Sequence, residues 1–131
     1  MAIPVVDNRT PEVEASKTFT AALRDAAWRA GLTVTGEATQ LQGTIVSITA
    51  VPRGVALLGT QFRSRELEIV VEVRLRLDEP QRERWERVLV ERVSYLSGPD
   101  LRDSETNRVL ALRTALHRLA DRGIDALTRK F

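Results

Sequence analysis

The chain has no cysteine and one histidine, His117. The first absence excludes disulfides, thiolate nucleophiles and every cysteine-bearing zinc site, and the second leaves little room for imidazole chemistry. No apolar run approaches the roughly 18 residues that span a bilayer as a helix. The start, Met1-Ala2-Ile3-Pro4, has neither a basic segment nor the apolar stretch of a secretion signal. No G-x-S-x-G elbow is present, and Gly31 and Gly36 lack the Lys-Ser/Thr that would make them a phosphate loop. With no cofactor motif and no metal-ligand spacing, composition argues against an enzyme.

What remains is an ordinary globular composition: 131 residues, 43% apolar and 29% charged, enough for one domain over residues 1–131. The net charge of +2 hides a skew, because the basic residues are 18 arginines and two lysines, Lys17 and Lys130. The planar guanidinium fork suits phosphate and carboxylate; a general preference for arginine codons explains the same count.

Apolar Ile3, Val5 and Val6 place a short strand over Ala2 to Val6, stopped by Asp7-Asn8. A chain that begins inside a strand is expected to be a piece of something longer. Thr10-Pro11-Glu12 announces a helix, whose stripe is Ala15, Phe19, Ala22, Leu23, Ala26, Ala27 and Ala30 and whose terminator is Gly31. Thr33 to Ala50 reads as a strand, with Gly43 marking a bulge or a close approach of the helix. Pro52-Arg53-Gly54 and Gly59 bracket a loop whose middle, Val55-Ala56-Leu57-Leu58, is apolar; it either folds back on the core or touches a partner or lipid.

From Glu66 to Leu77 the pattern is cleanest. Leu67, Ile69, Val71, Val73, Leu75 and Leu77 alternate with Glu66, Glu68, Val70, Glu72, Arg74 and Arg76, a strand with one face in the core and one in water. Asp78-Glu79-Pro80-Gln81 is a turn, and Trp85 to Leu96 is the returning strand, its alternation blurred by a bulge or by burial on both faces. After Ser97-Gly98-Pro99-Asp100 a final helix begins near Asp103 or Ser104. It carries the stripe Val109, Leu112, Leu116, Leu119, Ala120, Ile124, Leu127 and Phe131, with Gly123 where it crosses something closely. The order β-α-β-β-β-α predicts an α+β two-layer sandwich, a mixed four-stranded sheet with two helices on one face.

Candidate chemistry is sparse. His117 borders the apolar stripe, Ser16-Lys17 lies on a plain amphipathic helix, and Glu66, Glu68 and Glu72 are expected to pair across strands with Arg84, Arg87 or Arg92. Three glutamates on the wet face of the long strand would repel phosphates and argue against nucleic acid.

Several stretches carry a family resemblance. Ala2 to Thr10 with its Asp-Asn-Arg-Thr, the alanine-leucine helix ending at Gly31, Leu41-Gln42-Gly43-Thr44-Ile45, the strand Glu66 to Leu77, Trp85-Glu86 and the last helix together resemble the LptE family of LPS-assembly lipoproteins. The Asp-Asn-Arg-Thr opening is also similar to envelope adaptors of the TolB N-terminal, CsgG and LpoB kind, which act by protein contact alone. The LptE resemblance implies a non-catalytic protein held at the periplasmic face of the outer membrane by a lipidated N-terminal cysteine that this chain does not contain. It implies two partners, lipopolysaccharide and an LptD-like β-barrel that such proteins plug. It also implies that Arg63, Arg65 and Arg102 bind LPS phosphates, with Val55, Leu57 and Leu58 as partner or lipid contacts.

Overall fold

The computed structural model describes residues 1–32, 39–58, 62–79, 84–98 and 100–130, and the side chains of these except 55–58, 62–64 and 130. Its elements are β1 (Asp7–Asn8), α1 (Ala15–Arg29), β2 (Gln40–Leu58), β3 (Phe62–Asp78), β4 (Trp85–Ser97) and α2 (Leu101–Lys130). The sheet order is β1-β2-β3-β4, with β1 parallel to β2 and the other pairs antiparallel. This is the α+β mixed sheet that the element order predicts.

The alternation of β3 sets the layers. Ile69, Val71, Val73, Leu75 and Leu77 are buried, and α1 and α2 cover them with Phe19, Leu23, Leu116, Leu119, Ile124 and Leu127. Leu75 is the tightest point. A Cβ on Gly123 of α2 would lie 2.3 Å from its Cδ1, and one on Gly43 of β2 would lie 3.4 Å from its Cδ2 and 3.1 Å from Val6. Gly43 therefore marks a close approach; the irregularity in β2 falls later, between Ile45 and Ser47. The β3–β4 register runs unbroken from Arg65–Ser97 to Leu77–Trp85, so β4 has no bulge. Its blurred pattern arises because Val88 and Val90 lie on the face that no helix covers, 54% and 37% exposed.

Three boundaries differ from the sequence reading. The N-terminal segment lies along β2, with Ala2 bridged to Gln40, but the ladder forms at Asp7–Asn8 rather than ending there. α1 starts at Ala15, not at Thr10-Pro11, because Asn8 claims that turn. Its Oδ1 accepts from the Thr10 N–H (3.0 Å) and hydroxyl (2.7 Å), and its Nδ2 donates to the Glu12 carbonyl. α2 starts at Leu101, with Asp100 accepting from the Arg102 N–H at 2.9 Å as the N-cap. Ala30, expected in the buried stripe, is the exposed C-cap. Gly31 at φ 75° and Leu32, whose N–H reaches the Ala27 carbonyl, close a Schellman motif there. Phe131, Gly36, Gly59, Pro99 and the turn at Pro80-Gln81 lie outside the described residues.

Polar side chains fix the helices. On α1, Ser16 donates to the Val6 carbonyl (2.6 Å), Thr20 accepts the Val6 N–H (2.9 Å) and Arg24 donates to the Ile3 carbonyl, so the open side of the N-terminal strand is satisfied. Arg29 pairs with Asp121 at 2.9 Å, and Arg108 pairs with Glu12 and with Glu105. The hydrogen bond from Arg108 holds the Glu105 carboxyl below its ordinary range, and those carboxylates hold the Arg108 guanidinium above its own.

Two outcomes are expected. Gly123→Val overfills the space held by Leu75 and destabilises the fold by about 2–3 kcal/mol despite removing a helix glycine; urea denaturation measures it, and unchanged stability contradicts the packing. Glu105 has a lowered folded-state value, so its contribution is present at neutral pH and is lost as pH falls below the carboxylate range. Arg108→Gln therefore lowers the melting temperature at pH 7, and the gap to the parent closes on acidification; a gap independent of pH contradicts this.

Candidate functional site

Chain length decides what projects. β2 is 19 residues and β3 is 17, while the fully buried inner positions of β3 begin only at Ile69. Beyond Arg65, the last β3 residue paired to β4 and level with the first turn of α2, the β2–β3 hairpin continues alone. The segment expected to be a loop, from Pro52 to Leu58, is strand: Pro52 pairs with Leu67 and the ladder continues to Leu58–Phe62. Proline is tolerated because β1 reaches only Ile45, so β2 is a sheet edge from there on and its proline forfeits no ladder bond on that side.

The register shift between Pro52 and Gly54 leaves Arg53 as the extra residue. Its guanidinium lies 3.5 Å from Glu68 on the uncovered face, where Arg92 of β4 approaches the same carboxylate at 3.3 Å. Glu68 is 7% exposed, an ion buried between two arginines whose own side chains are more than half exposed. The expected pairing to Arg92 is thus present. Of the other two, Arg84 pairs with Asp78 and Arg87 lies over the Trp85 ring at 5.5 Å. The bridge to Arg53 was not foreseen, because Pro-Arg-Gly reads as a turn.

The ladder places Val55 opposite Arg65 and Leu57 opposite Arg63. Arginines and apolar residues therefore face each other along one hairpin. The side chains of Val55, Leu57, Leu58 and Arg63 lie outside the described ones; Arg65 is exposed. Arg65 also pairs with Ser97 at the end of β4, whose hydroxyl bonds to Ser104 at 3.2 Å. Ser104 in turn donates to the Gly98 carbonyl, fastening the first turn of α2 to the sheet. Arg102 is on that turn and is exposed, so Arg65 and Arg102 flank one junction. Leu96 and Leu101 add apolar surface there, 42% and 84% exposed; neither stood out in the sequence, since an isolated leucine carries no signal.

His117 is exposed on α2, and the Ser16 hydroxyl is committed to the Val6 carbonyl. Among the described residues no group of three or more His, Asp or Glu could hold a metal ion, and no described helix is long and apolar enough to cross a membrane. The arrangement is chemically suited to holding an amphiphile, with guanidinium groups for anions beside apolar surface.

The LptE family, described as lipopolysaccharide-assembly, matches residues 1–131. No curated protein matches the sequence. Among solved structures, the fold is similar to that of rare lipoprotein B from Shewanella oneidensis, at 14% identity and a TM-score of 0.65, covering 99% of this chain and 96% of that one. It is also similar to a minor lipoprotein from Acinetobacter baumannii, at 14% identity and a TM-score of 0.56, covering 95% and 92%.

The ion triad gives a direct test. Replacing both Arg53 and Arg92 with alanine strands the Glu68 carboxylate and costs about 1–3 kcal/mol, and adding Glu68→Leu restores most of the loss. Chemical denaturation of the three proteins checks this; a double variant as stable as the parent contradicts it.

Proposed function

Since the chain belongs to the LptE family of lipopolysaccharide-assembly proteins, we propose that it is a non-catalytic lipoprotein of the outer membrane's periplasmic face. It binds LPS at its hairpin end and seats in an LptD-like β-barrel, which it plugs and assists. The observation that carries this reading is the hairpin itself. Val55 against Arg65 and Leu57 against Arg63 continue the sheet from its last pairing with β4 onward, next to the turn of α2 that carries Arg102. LPS has phosphates at one end of its lipid part and acyl chains at the other, and this end of the protein offers both kinds of surface.

Polarity along the fold supports the same reading. Ala2 sits beside Gln40, which pairs with Asp78 at the foot of the sheet. The hairpin end lies 18 residues along β2 from Gln40, about 60 Å at strand rise. A lipid anchor preceding the N-terminus would hold the foot at the leaflet and leave the hairpin free to reach away from it. Arginine suits that end better than lysine would, because its fork bonds phosphate through two parallel N–H groups.

The Arg63→Glu/Arg65→Glu/Arg102→Glu variant is expected to bind LPS at least about tenfold more weakly, with the parent's affinity falling as salt is added and the circular dichroism unchanged. LPS affinity equal to the parent's refutes the site. A parent that binds no LPS but still co-purifies with envelope proteins supports the adaptor reading instead, and failure of the lipidated protein to co-purify with an LptD barrel refutes the barrel partnership.

A further inference from the structure

The two edges of the sheet are treated differently. On the β1 side, Ser16, Thr20 and Arg24 of α1 occupy the outward backbone groups of Ile3 and Val6. β4 forms the other edge over 13 residues. Alternate residues of an edge strand turn their N–H and C=O groups outward. In β4 these are the even-numbered ones, since the Val90 carbonyl accepts from Arg122 (2.8 Å) and the Leu96 carbonyl from Asn107 (2.9 Å). Two α2 side chains thus guard this edge, and below them Arg87 of the strand itself reaches the outward Glu86 carbonyl (3.1 Å).

The sequence of that edge is self-complementary. In Trp85-Glu86-Arg87-Val88-Leu89-Val90-Glu91-Arg92-Val93, an antiparallel copy centred on Leu89 sets Glu86 against the partner's Arg92, Arg87 against the partner's Glu91 and Val88 against the partner's Val90. Every charge meets its opposite and every apolar residue meets an apolar one. Displacing the centre by one residue to Val90 sets Glu86 against the partner's Ser94 and Glu91 against the partner's Leu89, so charge matching is lost. The Leu89 centre also satisfies the backbone, because the even-numbered residues that turn their groups outward then pair with even-numbered residues.

A second observation agrees. Beside the lower half of β4, facing α2, is a cleft of about 800 Å³ lined by Arg84, Trp85, Arg87, Leu89, Arg122 and Arg129 among others. In the Leu89-centred pairing this cleft lies next to the partner's Glu91 and the partner's Val93, and its four arginines outnumber its two acids, Glu86 and Asp125.

We propose that β4 is a self-association strand: two copies of the chain pair antiparallel through it about Leu89, joining their sheets, and Arg122 regulates the pairing by competing for the edge. The guard acts twice, since Arg122 occupies the Val90 carbonyl that the partner's Val88 N–H needs and also neutralises Glu91 at 2.9 Å. The contact is isologous, so it closes at a dimer. Glu86 exchanges a weak, half-exposed pair with Arg74 for one across the interface, and when Arg92 turns to the partner's Glu86 the buried Glu68 carboxylate keeps Arg53.

Sedimentation velocity of the whole chain, from about 1 µM to about 1 mM, tests the inference. The mass is expected to rise from 14.7 kDa toward twice that value with concentration. The exchange Glu86→Arg/Arg87→Glu keeps the net charge but opposes like charges at four points, and is expected to weaken association at least about tenfold. Val88→Pro removes an outward N–H without touching the β3 ladder and is expected to do the same, whereas Arg122→Ala strengthens association. A parent and an Arg122→Ala variant that both stay monomeric throughout overturn the proposal. So does a folded exchange variant that associates as tightly as the parent.

Discussion

Leu75 sits where the whole architecture is tightest. Its two methyl groups fill the space above Gly43 of β2 and below Gly123 of α2, so one side chain sets how closely the long helix lies on the sheet. Interiors pack at crystal-like density and do not deform smoothly, so this one contact fixes the height of the helical layer over its neighbours on β3. α1, joined to α2 by Arg29–Asp121 at one end and Glu12–Arg108 at the other, takes its position from the same plane. The remaining features follow from where that layer begins and ends.

It ends before the sheet does. The inner face of β3 is fully buried from Ile69 to Leu77; β4 stays paired to β3 as far as Arg65, and beyond it β2 and β3 run on as a two-stranded ribbon. A ribbon without a helical cover gains little from burial, and this one is braced by the Glu68 carboxylate between Arg53 and Arg92, from its two neighbouring strands. A buried carboxylate is not retained for stability alone; here it ties all three long strands together at the level where apolar packing gives out. The arginines and apolar residues of the ribbon are thereby presented at the far end of the fold from Ala2.

Much of this was legible in the residues. The period-two run of β3, Gly31 as terminator and the close approach at Gly123 rest on local rules that tertiary contacts reinforce; the helical stripes hold except at their ends, where Ala30 and Val109 are exposed. The failures have physical causes. Pro52-Arg53-Gly54 carries every sign of a turn, yet β2 has no partner on that side above Ile45, so proline forfeits no ladder bond and the surplus residue becomes a bulge. Thr10-Pro11-Glu12 has the form of a helix cap, and the Thr10 hydroxyl does accept from the Glu12 N–H, but it donates to Asn8, whose amide also donates to the Glu12 carbonyl; that turn closes on Asn8 and the helix begins at Ala15. The candidate residues Arg63, Arg65 and Arg102 came from family resemblance. No spacing rule connects Arg65 to Arg102; the Ser97–Ser104 bond, which joins the strand end beside Arg65 to the helix turn that carries Arg102, is visible only in the fold.

The proposed function makes the ribbon and the adjoining start of α2 the surface that meets LPS. Hydrogen exchange along the backbone, read with and without LPS, tests that most directly. Slowed exchange confined to Arg53–Leu58, Phe62–Arg65 and the first turn of α2 is the predicted result. Protection centred instead on the cleft beside Trp85 and Arg129, with the ribbon unchanged, would contradict it.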